Sequence, residues 1–334
     1  MSRSVLLEEP GRYQVTQAAP PEPGPGEVRV RVAAAGICGS DRELFEGGRP
    51  APFRRFPIVP GHEWSGTIDA LGLGVDPALI GRPTVGEGFV SCQVCARCRE
   101  GDANLCQAEY DEIGFTRPGA FADHLIVPAR LLHPLPEGTD LRAAALLEPA
   151  AVAAAAVLKA AVQPGERVGV VGAGTIGLLT VELLAAHSPG ELLVSDPRAG
   201  REPVARDGGA TSYFHPSEVG EPGLDVVVET AGARDSAAAA ARLLRRGGRL
   251  VLTGIPGVVP ELLSPTLIVE QQLAINSVFG ASSAAWTHAV RAFSTGLLRL
   301  GPLVTHELSL EDYPKAIALL GQGGDDVGKI LLRP

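Results

Sequence analysis

Lysine is nearly missing from this chain of 334 residues: Lys159, Lys315 and Lys329 are its only examples, while arginine and alanine abound. That bias points to genomic base composition, and no chemistry is expected from it. No run approaches the roughly 20 apolar residues that cross a bilayer, so length alone argues against a transmembrane helix. The opening MSRSVLLEEPGRYQV has neither the apolar stretch of a secretory signal nor an arginine-rich transit pattern, and a cytoplasmic location is expected. Blocks of like charge, internal repeats and low-complexity linkers are absent too. The formal net charge of -9 would repel a polyphosphate over most of the surface, which argues against DNA or RNA as a partner. Finally, no cysteine occurs beyond Cys106. Four of the five cysteines, Cys92, Cys95, Cys98 and Cys106, fall within fifteen positions, and only Cys38 stands apart. In a reducing compartment such a cluster reads as metal ligands before it reads as disulfides.

What is present has two textures, and a chain this long can hold two cores. The first third runs as short strands broken by proline and glycine, among them EVRVRVAAAGICG, GTIDAL and ADHLIVPA, which suggests a barrel-like β unit. Near Leu146 the pattern changes to the helix former EPAAVAAAAVLKAA. From Arg167 the apolar runs RVGVVGA, ELLVSD, LDVVVETAG, RLVLTG and LAINSVFGA alternate with helical segments. That alternation predicts a parallel sheet covered by helices on both faces. A helix around Trp286 to Thr295 and a last strand, GKILLRP, are expected to return to the first unit.

The segment GVVGAGTIG places Gly172, Gly174 and Gly177 in G-x-G-x-x-G spacing, after a strand and before a helix. The three glycines serve a tight turn, a close approach of backbone to pyrophosphate and a close helix-strand contact, with the phosphates at the positive end of the helix. Among 41 glycines such a triplet can arise as a plain turn; its place between strand and helix favours a dinucleotide. Asp196 ends ELLVSD, 19 positions beyond Gly177, where a carboxylate can bind ribose hydroxyls and repel a 2′-phosphate, so NAD is favoured over NADP. A surface aspartate at a strand end is the plainer reading. Arg198 and Arg201 follow closely and soften the preference.

The cysteine cluster is C-x2-C-x2-C-x7-C within a polar loop, SCQVCARCREGDANLC. Four thiolates give a closed tetrahedral shell that suits zinc and leaves no open position, hence a structural metal. An iron-sulfur cluster is the rival; buried free cysteines fit neither the spacing nor the polarity.

GICGSD, GHEWSG, the four-cysteine lobe, LLEPAAVA and VGAGTIG follow one another in the order seen in zinc-containing medium-chain dehydrogenases. Over essentially its whole length the chain resembles that alcohol dehydrogenase family, in particular its polyol and aminocyclitol branch. The resemblance implies a GroES-like, mostly β catalytic domain over 1–148 and 282–334, with a structural zinc lobe at about 91–107. It also implies a Rossmann domain, a doubly wound parallel α/β sheet, over 149–281. Thr175, Ile176, Thr253 and Phe279 join the glycines and Asp196 as expected NAD contacts. Cys38 and His62 would bind a catalytic zinc, the second of two per chain. With no further cysteine available, Glu63 and Glu148 are both candidates for the third ligand, and exchange between them is possible. Ser40 would pass on the alcohol proton, and Asp41 would orient His62. Glu43 stands where many relatives carry a relay histidine; with an ordinary pKa of about 4.3 it is a weaker base unless burial raises it. Singly these residues read more plainly, as a small buried hydrophobe, a hydrogen-bonded histidine, a helix-start carboxylate and turn residues.

The expected activity is hydride transfer between NAD and a secondary alcohol: a polyol, a cyclitol or aminocyclitol, or an amino alcohol. Trp64 in GHEWSG carries the likeness to aminocyclitol dehydrogenases. Acyclic sugar alcohols and threonine are the alternatives, and a non-catalytic NAD-binding or structural protein on a dehydrogenase scaffold is the rival class. A homodimer or homotetramer is expected, with LAINSVFGA part of the contact.

Overall fold

The structure is a computed structural model that describes residues 1–218, 223–256 and 262–334. It divides into two compact units, one of Met1–Glu148, Ser282–Val290 and Leu300–Pro334, the other of Pro149–Ala281 and Arg291–Arg299.

The first unit is built on a sheet whose strands run in the order Val304–Ser309, Lys329–Arg333, Glu27–Ile37, Glu63–Leu71, Pro83–Gly86, Leu132–Pro134, with His124–Pro128 also paired to Glu27–Ile37. The alternation in EVRVRV buries Val28, Val30 and Val32 against Ile68, Leu125 and Val127, while the intervening side chains face outward. From Ala34 to Ile37 the same strand is buried almost throughout. Lys329–Arg333 pairs antiparallel with it, Ile330 opposite Ile37 and Leu332 opposite Ala35, and parallel with Val304–Ser309. Tyr313 anchors the same region, its ring within 5.7 Å of Tyr13, Phe45 and Phe121. Trp64, 2% exposed, packs into this core. Its role is packing, and it lends no support of its own to an aminocyclitol substrate.

The second unit holds a parallel sheet in the order Ser212–Phe214, Glu191–Ser195, Arg167–Val171, Leu224–Glu229, Leu244–Leu252, Ala274–Ser277. Numbered along the chain this is 3-2-1-4-5-6, the doubly wound Rossmann order, whose reversal at Arg167–Val171 opens a crevice at the strand ends. Central Leu224–Glu229 is buried nearly throughout; Ala274–Ser277, at the sheet edge, is mostly exposed. Arg291–Arg299 is tied to this unit by Arg299, which donates to Glu182 and to the Asp207 carbonyl. No helix of the described residues is long and apolar enough to cross a membrane.

Candidate metal centre and cofactor cleft

Cys38 ends the buried strand Glu27–Ile37 and caps the helix Gly39–Glu46, which stops at Gly47 in the left-handed conformation. Asp41, wholly buried, accepts the Cys38 N–H at 2.8 Å and brings its other oxygen to 3.4 Å from His62 Nδ1. At that distance the two atoms make an ion-pair contact rather than a hydrogen bond, and Nε2 is left as the atom for a ligand. His62 and Glu63 lie where the chain enters Glu63–Leu71, 5% and 1% exposed. One donor atom each from Cys38, His62 and Glu63 falls within 4.8 Å of the others. A thiolate, an imidazole and a carboxylate so gathered match the donor preferences of zinc. Burial disfavours a charged His62, but Asp41 and Cys38 outweigh it and hold the pKa well above the ordinary imidazole range.

Glu63 shares its burial with Lys329, whose Nζ donates to both carboxylate oxygens at 2.7 Å and to the Ile37 carbonyl at 3.2 Å. Gly36, opposite Glu63 in the ladder, makes the room: a Cβ there would stand 2.0 Å from Glu63 Oε2. Burial works against the Lys329 ammonium, yet Glu63 and Cys38 raise its pKa above the usual lysine value. Lysine scarcity therefore does carry chemistry at this one position. In a chain that otherwise uses arginine, a lysine at the head of the apolar strand KILLR was the available sign.

Glu148 opens the helix Leu147–Ala160 and lies outside the 4.8 Å ligand set among the described residues. It is near enough for its charge to be felt. Burial pushes its pKa up to about 7; His62 and Lys329 pull it down, while Glu63 and Glu112 raise it further. Ser40, half-buried, and Glu43, exposed, sit one turn apart on Gly39–Glu46.

The four cysteines form a separate cluster with their sulfurs within 4.8 Å of one another. Cys95 and Cys98 Sγ are 3.4 Å apart, and the N–H groups of Cys92 and Gln107 point at Cys106 and Cys95 sulfurs at 3.4 and 3.5 Å. The Gln107 and Cys98 N–H groups help lower the Cys95 pKa to about 6, while burial and the neighbouring thiols push Cys98 up to about 11.

In the second unit, Gly172 (φ 100°) turns the chain between Arg167–Val171 and Thr175–Ala185, and a Cβ on it would meet Ala231 N at 2.8 Å. A Cβ on Gly177 would stand 1.9 Å from the Gly172 carbonyl oxygen, so helix and turn touch there. A Cβ on Gly174, at the helix N-terminus, would meet nothing within 4 Å among the described residues, which leaves the approach to Thr175 and Ile176 open. A cleft of about 500 Å³ begins beside Gly172 and is lined further by Asp196, Pro197, Arg234 and Ala239. Asp196, 4% exposed, accepts from Ala173 N at 2.7 Å and from Arg198 N, Nε and Nη2 at 2.9 Å each. Burial would lift its pKa, but these donors hold it below the ordinary carboxylate value. Thr253 is pinned to the Glu229 carbonyl by its N–H and hydroxyl, and Phe279 is 43% exposed. Glu229, overlooked in the sequence, is 1% exposed and anchors the turn beside Gly172 by accepting from Ala231 and Gly232 N–H.

The chain matches the family model of the Alcohol dehydrogenase GroES-like domain over residues 24–137 and that of the Zinc-binding dehydrogenase over residues 175–295. It is 30% identical to a sorbitol dehydrogenase of Halalkalibacterium halodurans over 337 residues, covering 97% of this chain and 96% of that protein. A zinc-binding dehydrogenase from Sinorhizobium meliloti, solved bound to NADP, superposes with a TM-score of 0.91 at 29% identity over 100% of this chain and 99% of that one. An alcohol dehydrogenase from Escherichia coli complexed with NADH gives a TM-score of 0.92 at 28% identity over the same shares. With the donor atoms of Cys38, His62 and Glu63 gathered in one unit and the glycine turn in the other, the chain belongs to the zinc-containing alcohol dehydrogenase family.

Proposed function

We propose that the chain is a zinc-dependent dehydrogenase moving a hydride between NAD and a secondary alcohol of the polyol or cyclitol type. The convergence of Cys38, His62 and Glu63 carries this reading. These three would hold the catalytic zinc, with Glu148 near enough to exchange for Glu63, and Cys92, Cys95, Cys98 and Cys106 would hold a structural one. When bound, zinc supplies Lewis acidity toward an alcohol or carbonyl oxygen, and NAD supplies the hydride acceptor.

The remaining work falls to the chain. Asp41 balances the charge of the His62 ring. Lys329 balances the charge of Glu63 and holds its carboxylate in position at the site. Ser40 takes the alcohol proton and passes it along the helix toward Glu43, whose exposure returns it to water. The helix starting at Thr175 receives the pyrophosphate, and Asp196 faces the adenosine ribose, with Thr253 and Phe279 as further NAD contacts. Because four N–H groups already occupy Asp196, a ribose hydroxyl has to displace Arg198 to reach it, and the same guanidinium offers a partner to a 2′-phosphate.

We also infer a cytoplasmic homodimer or homotetramer. Clustered free thiols suit a reducing compartment. The edge strand Ala274–Ser277 and the exposed Val269 and Leu262 offer a surface for a second copy. Light scattering at a mass near that of one chain would refute the oligomer. The activity is tested by zinc analysis together with NAD reduction over a panel of polyols, cyclitols and amino alcohols. Two zinc per chain and turnover of at least one polyol are expected; a zinc-loaded chain that reduces NAD with none of them would make it a binding protein on a dehydrogenase scaffold.

A further inference from the structure

A second pair of opposite charges, Arg49 and Glu112, lies beside the metal ligands and belongs to none of the motifs discussed above. Glu112 is 7% exposed. Its carbonyl accepts the N–H groups of Phe115, Thr116 and Arg117 at 3.3, 3.0 and 3.0 Å, a tight loop that sets Phe115 against His62 with ring centroids 4.7 Å apart. Arg49 lies on that same Phe115 ring at 3.5 Å. It donates to Phe53 O at 2.7 Å, Tyr110 Oη at 2.9 Å and Glu112 Oε2 at 3.3 Å. The guanidinium is thus held by three partners and a ring, and it holds one carboxylate oxygen in turn. Glu112 Oε1 makes no hydrogen bond among the described residues, and a Cβ built on Gly88 would stand in ordinary van der Waals contact with it at 3.5 Å.

An acceptor oxygen that no donor of the described residues engages, on a side chain otherwise largely shielded from solvent, is placed to receive a donor from outside the chain. We propose that Glu112, backed by Arg49, is a specificity-determining residue that binds a hydroxyl on the carbon next to the reacting carbinol, favouring vicinal diols over simple secondary alcohols. The inference rests on the alcohol dehydrogenase reading and deepens it. A hydroxyl both donates and accepts, which suits an acceptor oxygen set beside a guanidinium donor. The pair carries no net charge, so it gives an ammonium group no particular advantage.

The test compares a vicinal butanediol with the matching secondary butanol and the matching vicinal amino alcohol, which share a skeleton and differ in one group. In the zinc-loaded wild type, kcat/KM with NAD is expected to favour the diol about 10- to 100-fold, the range of one hydrogen bond to a charged group. Glu112→Leu should bring the ratio of diol to butanol to within about threefold of unity. Gly88→Ala leaves the ion pair in place and sets a methyl group against Oε1, so it should lower the same ratio even if Glu112→Leu folds poorly. Zinc content and melting temperature check that both variants are intact. A diol preference that survives both substitutions overturns the proposal, as does a wild-type preference for the amino alcohol that disappears in Glu112→Leu. Failure of all three alcohols to reduce NAD would instead count against the dehydrogenase reading itself.

Discussion

Glu63 keeps its charge at 1% exposure because Lys329 meets both of its oxygens, so the two cannot be altered independently. Lys329→Met strands the carboxylate in the core and should cost about 3–5 kcal/mol in urea unfolding. Adding Glu63→Gln should recover part of that loss, and strict additivity of the two changes would mean the pair is uncoupled. Asp196 presents the opposite situation, a carboxylate saturated by its own chain. Asp196→Ala removes the acceptor for the ribose and releases Arg198, and the kcat/KM ratio of NADP to NAD should rise about tenfold or more. An unchanged ratio would move cofactor selection to another residue. At this scale the sequence was informative wherever chemistry repeats in a local pattern: Cys38, His62 and Asp196 each stand in a readable motif. Lys329, Glu112 and Arg49 act through partners 266, 50 and 63 positions away, counted from Glu63, His62 and Glu112, and no local pattern announces such pairs.

Two short loops illustrate how an element's geometry decides which residues it tolerates. In the turn before Thr175–Ala185, Gly177 touches the Gly172 carbonyl while Gly174 faces open space. Gly177→Ala should therefore lower the melting temperature and NAD affinity together. Gly174→Ala should leave melting unchanged and weaken NAD about tenfold or more by crowding the pyrophosphate approach. Calorimetric titration and thermal melts on both variants separate the two effects, and equal behaviour would show that the glycines are not divided in role. In the cysteine lobe, the helix Ala96–Arg99 is a single turn with no buried residue, too small to hold its shape by packing. Cys98→Ser should thus lower the melting temperature by at least about 5 °C and leave one zinc per chain, since the metal supplies the folding free energy that the lobe lacks. An unaltered melt would show that the loop stands without its metal. The glycine spacing and the four cysteines were legible because each sits within one short stretch, and elements of this kind are where sequence reading is strongest.

For the molecule as a whole, Cys38→Ser is expected to abolish turnover while NAD affinity, which belongs to the other unit, and the melting temperature stay close to wild type. Loss of folding would mean that this metal is structural. Zinc loading at the same site should release protons. His62, held well above the ordinary imidazole pKa in the metal-free chain, must lose its proton to ligate, so zinc affinity should rise with pH. Calorimetry at neutral pH in buffers of different ionisation enthalpy should report about one proton or more per zinc from this step. That the second unit is a parallel sheet follows from alternating apolar runs and helices, a pattern the sequence displays openly, whereas its strand order is seen only in the structure. The place of Lys329–Arg333 beside Glu27–Ile37 does not, because strand partners far apart in sequence are chosen by side-chain fit across the sheet and leave no periodic trace. That distant pairing has a consequence for how the molecule is made. Ribosomes add about 5–20 residues per second, so Glu63 emerges on the order of 10 to 50 s before Lys329, which lies 266 positions later. Throughout that interval the newborn chain carries an unneutralised carboxylate and an unfinished sheet, and its first-made portion must await the last-made strand before it can close around a metal.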